Sequence, residues 1–130
     1  MKRLTLQFIA CVATVMLTSC EKPQEIEYSK LAYDGVNTFL DPATKKGFTG
    51  IAHDRYPDGK PKAEFSFKNG LMHGTVTEWY PNGKKKAETV FDSGERCGKN
   101  SEWNESGSLF QERVYDHDRI VSEKKYGADK

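Results

Sequence analysis

The sequence predicts an all-β fold, a single curled sheet in an antiparallel meander of β-hairpins repeated every 24 residues. Three observations predict it. Glycines recur at a fixed spacing, at Gly50, Gly74 and Gly98 and again at Gly59, Gly83 and Gly107, and self-similarity at such a period marks a repeat architecture. Turn dipeptides punctuate the chain: Asp58-Gly59, Asn69-Gly70, Asn82-Gly83, Ser93-Gly94, Ser106-Gly107 and His117-Asp118. Between them lie stretches rich in Thr, Val, Phe, Tyr and Trp, without helical periodicity, which favour strands.

The first nineteen residues stand apart. Lys2 and Arg3 precede an apolar run from Leu4 to Leu17, shorter than the ~20 residues a spanning helix needs and typical of a secretory signal. The run ends in Leu17-Thr18-Ser19-Cys20, which resembles a bacterial lipobox. The resemblance implies that residues 1–19 are removed and that Cys20 receives diacylglycerol and acyl chains such as palmitate. Such chains anchor a protein to a bilayer without spanning it. Glu21 in place of aspartate favours the outer membrane, on its periplasmic side, within the cell envelope.

Residues 20–30 are polar and read as a flexible tether. The repeat domain is expected over 31–130, with units at about 50–73, 74–97 and 98–121. Cleavage removes two bases and no acid, leaving 18 against 19, a balance that argues against nucleic acid as a partner. Cys11 goes with the signal and Cys20 carries lipid, so Cys97 has no partner for a disulfide.

Each hairpin can be threaded. If Asn82-Gly83 closes a two-residue type I′ turn, Gly74 faces Phe91, Val76 faces Thr89 and Glu78 faces Ala87. An aromatic opposite a strand glycine shields the bare backbone, and Gly50, Gly74 and Gly98 recur in phase with Phe67, Phe91 and Tyr115. With the turn glycines Gly59, Gly70, Gly83, Gly94 and Gly107, these residues define the repeat. One face collects Ala52, Tyr56, Ala63, Phe65, Phe67, Val76, Tyr80, Ala87 and Phe91. The other carries Trp79 and Trp103 beside Thr77, Lys86, Glu88 and Val90, with Arg55 at the matching place in the first unit. Exposed Trp and Arg are common anchors of protein interfaces; if the sheet curls around this face, it is the core instead.

Glu64, Glu88 and Glu112 are the most enzyme-like feature, three carboxylates in register. Two strands apart, they lie roughly 9–10 Å from one another, which exceeds the ~5–5.5 Å of a retaining carboxylate pair. Cross-strand pairing with His53 and Thr75 for Glu64, and with Thr77 and Lys99 for Glu88, accounts for them structurally. His-x-His and Cys-x2-Cys spacings are missing, so neither a metal nor another cofactor is expected, and no catalytic residue is assigned.

The string G-x4-[WR]-Y-P-[ND]-G-K-x-K-x-E-x2-F, carried by Gly50, Tyr56, Gly59, Lys60, Glu64 and Phe67 and again by Gly74, Trp79, Tyr80, Gly83, Lys84, Glu88 and Phe91, resembles the MORN-variant repeats of the bacterial YwqK family. The resemblance implies hairpin repeats, and the family is often labelled an antitoxin. The expected function is that of a membrane-anchored, non-catalytic interaction or envelope-scaffolding module, with an unidentified protein partner and with self-association through open sheet edges possible. The surface expected to serve it comprises Arg55, Trp79, Trp103, Lys86, Glu64, Glu88 and Glu112. An antitoxin- or immunity-like inhibitor is the first alternative, and a carbohydrate-binding or carbohydrate-processing envelope protein the second.

Overall fold

The repeat spacing builds a ladder of hairpins. The computed structural model describes residues 22–127; the signal, Cys20 and Cys11 lie outside the described residues. The strands are β1 (Glu25–Glu27), β2 (Ala32–Tyr33), β3 (Phe39–Leu40), β4 (Gly50–Arg55), β5 (Pro61–Lys68), β6 (Leu71–Met72), β7 (Gly74–Trp79), β8 (Lys85–Asp92), β9 (Glu95–Trp103), β10 (Leu109–Asp116) and β11 (Arg119–Lys125). The main sheet runs β1-β4-β5-β7-β8-β9-β10-β11, with β6 also on β5, while β2 and β3 form a small separate ribbon. All its pairings are antiparallel except that of β1 with β4. The sheet is not strongly curled, contrary to the expectation; β1 and β11 are its two ends.

The threaded register of the second hairpin is the observed one: Gly74 lies opposite Phe91, Val76 opposite Thr89 and Glu78 opposite Ala87. Gly50 likewise faces Phe67 and Gly98 faces Tyr115. Gly74 and Gly98 have φ of 96° and 103°, a backbone region open to glycine at little cost.

The turns fall into two kinds, which corrects the expectation of uniform type I′ loops. Asn69-Gly70, Ser93-Gly94 and His117-Asp118 have positive φ at both residues, as type I′ requires. At Asp58-Gly59, Asn82-Gly83 and Ser106-Gly107 only the glycine does. There the glycine N–H donates to the carbonyl three residues back, Gly59 to Tyr56 and Gly83 to Tyr80 at 2.8 Å and Gly107 to Asn104 at 2.9 Å. In the first two units the reason is proline. Pro57 and Pro81 have no N–H to close a two-residue turn, and their fixed φ suits the first position of a three-residue loop ending in a left-handed glycine.

Both rows of turns are stitched to the neighbouring repeat. On one side Gly70, Gly94 and Asp118 donate N–H to the carbonyls of Phe48, Met72 and Arg96 at 2.7, 2.8 and 3.0 Å. On the other, the Tyr56 hydroxyl donates to the Trp79 carbonyl and that of Tyr80 to the Trp103 carbonyl. Lys84 Nζ adds a bond to the Ser106 carbonyl at 2.6 Å. The tyrosine and lysine of the motif are therefore joints between repeats.

The core gathers at one end. Phe48 (1% exposed), Ala52 and Phe67 are buried together, with Ile26, Tyr28, Leu31, Phe39, Phe65 and Met72 packed around them. Tyr28 stacks on Phe65 at 4.6 Å between centroids. A flexible tether reaching to residue 30 is not what the structure has. The Gln24 carbonyl accepts from Ile51 N–H, β1 pairs with β4, and Ile26 and Tyr28 cover the aromatic face of the first repeat.

Along the sheet the same face turns polar. Asn100 and Gln111 are buried on it; the Asn100 amide donates to Thr89 Oγ1 at 2.8 Å, and Arg113 bridges Glu102 and Glu123 at 2.7 and 2.9 Å. Arg96 lies over the Tyr115 ring at 4.3 Å. The third unit thus holds its face by ion pairs where the first uses aromatic packing.

Candidate functional site

Alternation of side chains across strands and the observed register place two rows of residues on the face opposite the aromatic core. The first crosses eight strands: Glu27, His53, Glu64, Thr77, Glu88, Ser101, Glu112 and Lys124 stand successively opposite one another. The three glutamates share this row, each separated from the next by one strand. Their neighbours differ in part from the expected ones. Thr77 stands opposite Glu64 in place of Thr75, and Ser101 opposite Glu88 in place of Lys99.

Each carboxylate has a local partner. His53 lies between Glu25 and Glu64, at 3.3 Å from one and 3.6 Å from the other. Lys85 Nζ bonds Glu88 at 2.6 Å. Glu112 accepts from both Lys99 and the Tyr126 hydroxyl. The bonds from Lys99 and then Tyr126 hold the Glu112 carboxyl below its ordinary pKa, whereas a general acid at neutral pH needs a raised one. Among the described residues no cluster of three or more His, Cys, Asp or Glu is placed to hold a metal ion.

The second row lies one step toward the Tyr-Pro turns. Arg55 stands opposite Pro61, Trp79 opposite Lys85 and Trp103 opposite Leu109. Both tryptophans are half-buried, so this face is neither a closed core nor a fully open stripe. Lys85 Nζ sits 5.3 Å from the Trp103 ring centroid while bonded to Glu88. Arg55 reaches back to Glu27 at 3.3 Å and to the Gly59 carbonyl at 3.4 Å.

Lys86 leaves the expected group. The register slips between Glu78 and Trp79, so that Lys86 is the extra residue of a bulge. A bulge re-aims a side chain, and Lys86 pairs with Glu78 at 3.6 Å on the opposite face, as Lys62 pairs with Asp54 at 2.7 Å one repeat earlier. Lys85 takes its place beside the indoles. The cause is the loop: with three residues, Pro81-Asn82-Gly83, it places Trp79 opposite Lys85, and the bulge at Lys86 restores the pairing of Glu78 with Ala87.

A groove of about 280 Å³ opens over this face in the first repeat, lined by His53, Arg55, Pro61, Glu64 and Trp79 among others. It brings together three of the expected surface residues, Arg55, Glu64 and Trp79, while Glu88 and Trp103 meet around Lys85 and Glu112 stands apart with Lys99. Cys97 is a free thiol, half-buried on β9. Among the described residues no helix is long and apolar enough to cross a membrane.

Two segments of the chain, residues 49–69 and 72–93, match the MORN repeat variant model. They coincide with β4–β5 and β6–β8, the first two hairpin units. No curated protein and no solved structure matches the chain.

Proposed function

We propose that this protein is a non-catalytic repeat module, anchored to the cell envelope by lipid on Cys20, that binds a protein partner through the indole-bearing face of its sheet. The observation that supports this best is the second row itself. Arg55, Trp79, Lys85 and Trp103 line up across the repeats on the face away from the aromatic core, the two indoles half-buried and the two cations exposed beside them. Aromatic and arginine side chains in that setting are the usual anchors of an interface. The three glutamates stand in the adjoining row of the same face, each beside a histidine, lysine, hydroxyl or tyrosine partner. The two MORN-variant hairpins support a repeat scaffold whose role is interaction.

Affinity capture with the tagged full chain tests the reading. Capture of a partner that Trp79→Ala and Trp103→Ala both reduce, with the fold retained by circular dichroism, is the expected result. Capture unchanged by either substitution refutes this face as the interface. Cys20→Ser is expected to release the protein from the membrane fraction; a variant still membrane-bound after export excludes the lipid anchor.

A further inference from the structure

The second repeat contains a contact whose counterpart is missing from the first. In the second, the Lys85 ammonium lies over the Trp103 ring and bonds the Glu88 carboxylate. One period earlier, Trp79 and Glu64 occupy the positions of Trp103 and Glu88, and the position of Lys85 is Pro61. Proline has no ammonium to offer, and the space beside it is the groove lined by Pro61, Glu64 and Trp79. Among the described residues, cations lie over the rings of Trp103, Tyr115 and Tyr126, and not over that of Trp79. Arg55 lines the same groove but is turned to Glu27 and Gly59.

We infer that the groove over Trp79 is a binding slot for the side-chain ammonium of a lysine presented by a partner polypeptide, seated on the indole face with its charge on Glu64. The inference rests on the interaction reading above and names the chemistry that the partner brings. An indole face attracts a cation, and more strongly where water is partly excluded; a carboxylate at the end of the slot adds a charge-assisted hydrogen bond. The protein's own Lys85 shows that a lysine four methylenes long satisfies both groups at once. Pro61 keeps the strand in place while leaving the slot empty for a ligand from outside. Asp54 also borders the groove, but its carboxylate is paired with Lys62 on the other face, so Glu64, paired only with His53, is the carboxylate available to the incoming charge.

The chain has two tryptophans, so fluorine-labelled tryptophan in the full protein gives one NMR resonance for each indole. Titration with capped lysine (Nα-acetyl-lysine N-methylamide) is expected to move the Trp79 resonance saturably, and the neutral isostere, capped norleucine, is expected to leave it in place. Pro61→Lys is expected to fill the slot from within, displacing that resonance and abolishing its response. Lys85→Ala is expected to open a second slot, so that the Trp103 resonance responds as well. Glu64→Gln is expected to weaken binding roughly tenfold, the loss of one charge-assisted bond. Failure of capped lysine to move either indole, an equal response to norleucine, or a response that survives Pro61→Lys overturns the slot. The interaction reading is judged separately, by whether partner capture depends on Trp79 and Trp103.

Discussion

The Tyr56 hydroxyl donates to the Trp79 main-chain carbonyl at 2.8 Å, and twenty-four residues later Tyr80 makes the same bond to Trp103 at 2.9 Å. These bonds join one hairpin to the next on the side where the turns are three residues long. A partly buried neutral hydrogen bond contributes about 1 kcal/mol net. Tyr56→Phe and Tyr80→Phe are each expected to lower the unfolding free energy by about that amount, measured by urea denaturation. A change in neither variant would show that the tyrosines act by ring packing alone.

Gly50 and Gly98 occupy the same repeat position and predict unequal tolerance. A Cβ on Gly50 would collide with the Gln24 carbonyl and come within 2.9 Å of the Phe48 ring, whereas one on Gly98 would meet only Val90, at 3.7 Å. Gly98→Ala carries the backbone strain alone, about 1–3 kcal/mol. Gly50→Ala carries the collision as well and is expected to be the more destabilising, with hydrogen exchange of the Ile51 amide accelerated as β1 is pushed away. Equal melting shifts for the two would contradict this account.

The uneven core predicts an uneven response to truncation of aromatics. Phe48 is fully enclosed, and Phe48→Ala is expected to cost about 3–5 kcal/mol. Phe91, at the same repeat position as Phe67 but half-buried, has no lead-in segment over it, and Phe91→Ala is expected to cost less. Calorimetry of both variants checks the order.

Acid stability is expected to depend on Asp34. Its carboxylate accepts the backbone N–H groups of Thr38, Val36 and Asn37, led by Thr38, which lower its pKa from 3.8 to about 2. Because the folded value lies below the unfolded one, the contribution is complete above pH about 4 and is lost as pH falls toward 2. Asp34→Asn is expected to flatten the fall of the urea midpoint across that window. An identical acid profile for the wild type and Asp34→Asn would exclude the loop as its source.

The period, the hairpins, the glycine–aromatic pairs and the register of β7 on β8 were legible in the sequence because each depends on residues a few positions apart. The lead-in was not. Glu-Ile-Glu at 25–27 is short and polar, and its parallel pairing with β4 is set by a surface that exists only once the first hairpin has formed. The place of Lys86 is hidden for a different reason: simple alternation puts it beside Trp79, and only the bulge that follows the three-residue loop turns it to the other face. The row of glutamates follows from the period alone, whereas the register slips around Gly74 and Cys97-Gly98 decide which hydroxyl stands beside Glu64 and Glu88.

The stitches between successive turns have the same donors and acceptors at each internal boundary: Gly70 to Phe48, Gly94 to Met72 and Asp118 to Arg96 on one side, Tyr56 to Trp79 and Tyr80 to Trp103 on the other. A duplication of residues 74–97 would therefore meet, at both of its boundaries, groups that already fit. Each added unit would widen the sheet by two strands, about 9–10 Å. The molecule is in effect a ruler whose length is written in whole repeats, sealed at the aromatic end and extendable at the other.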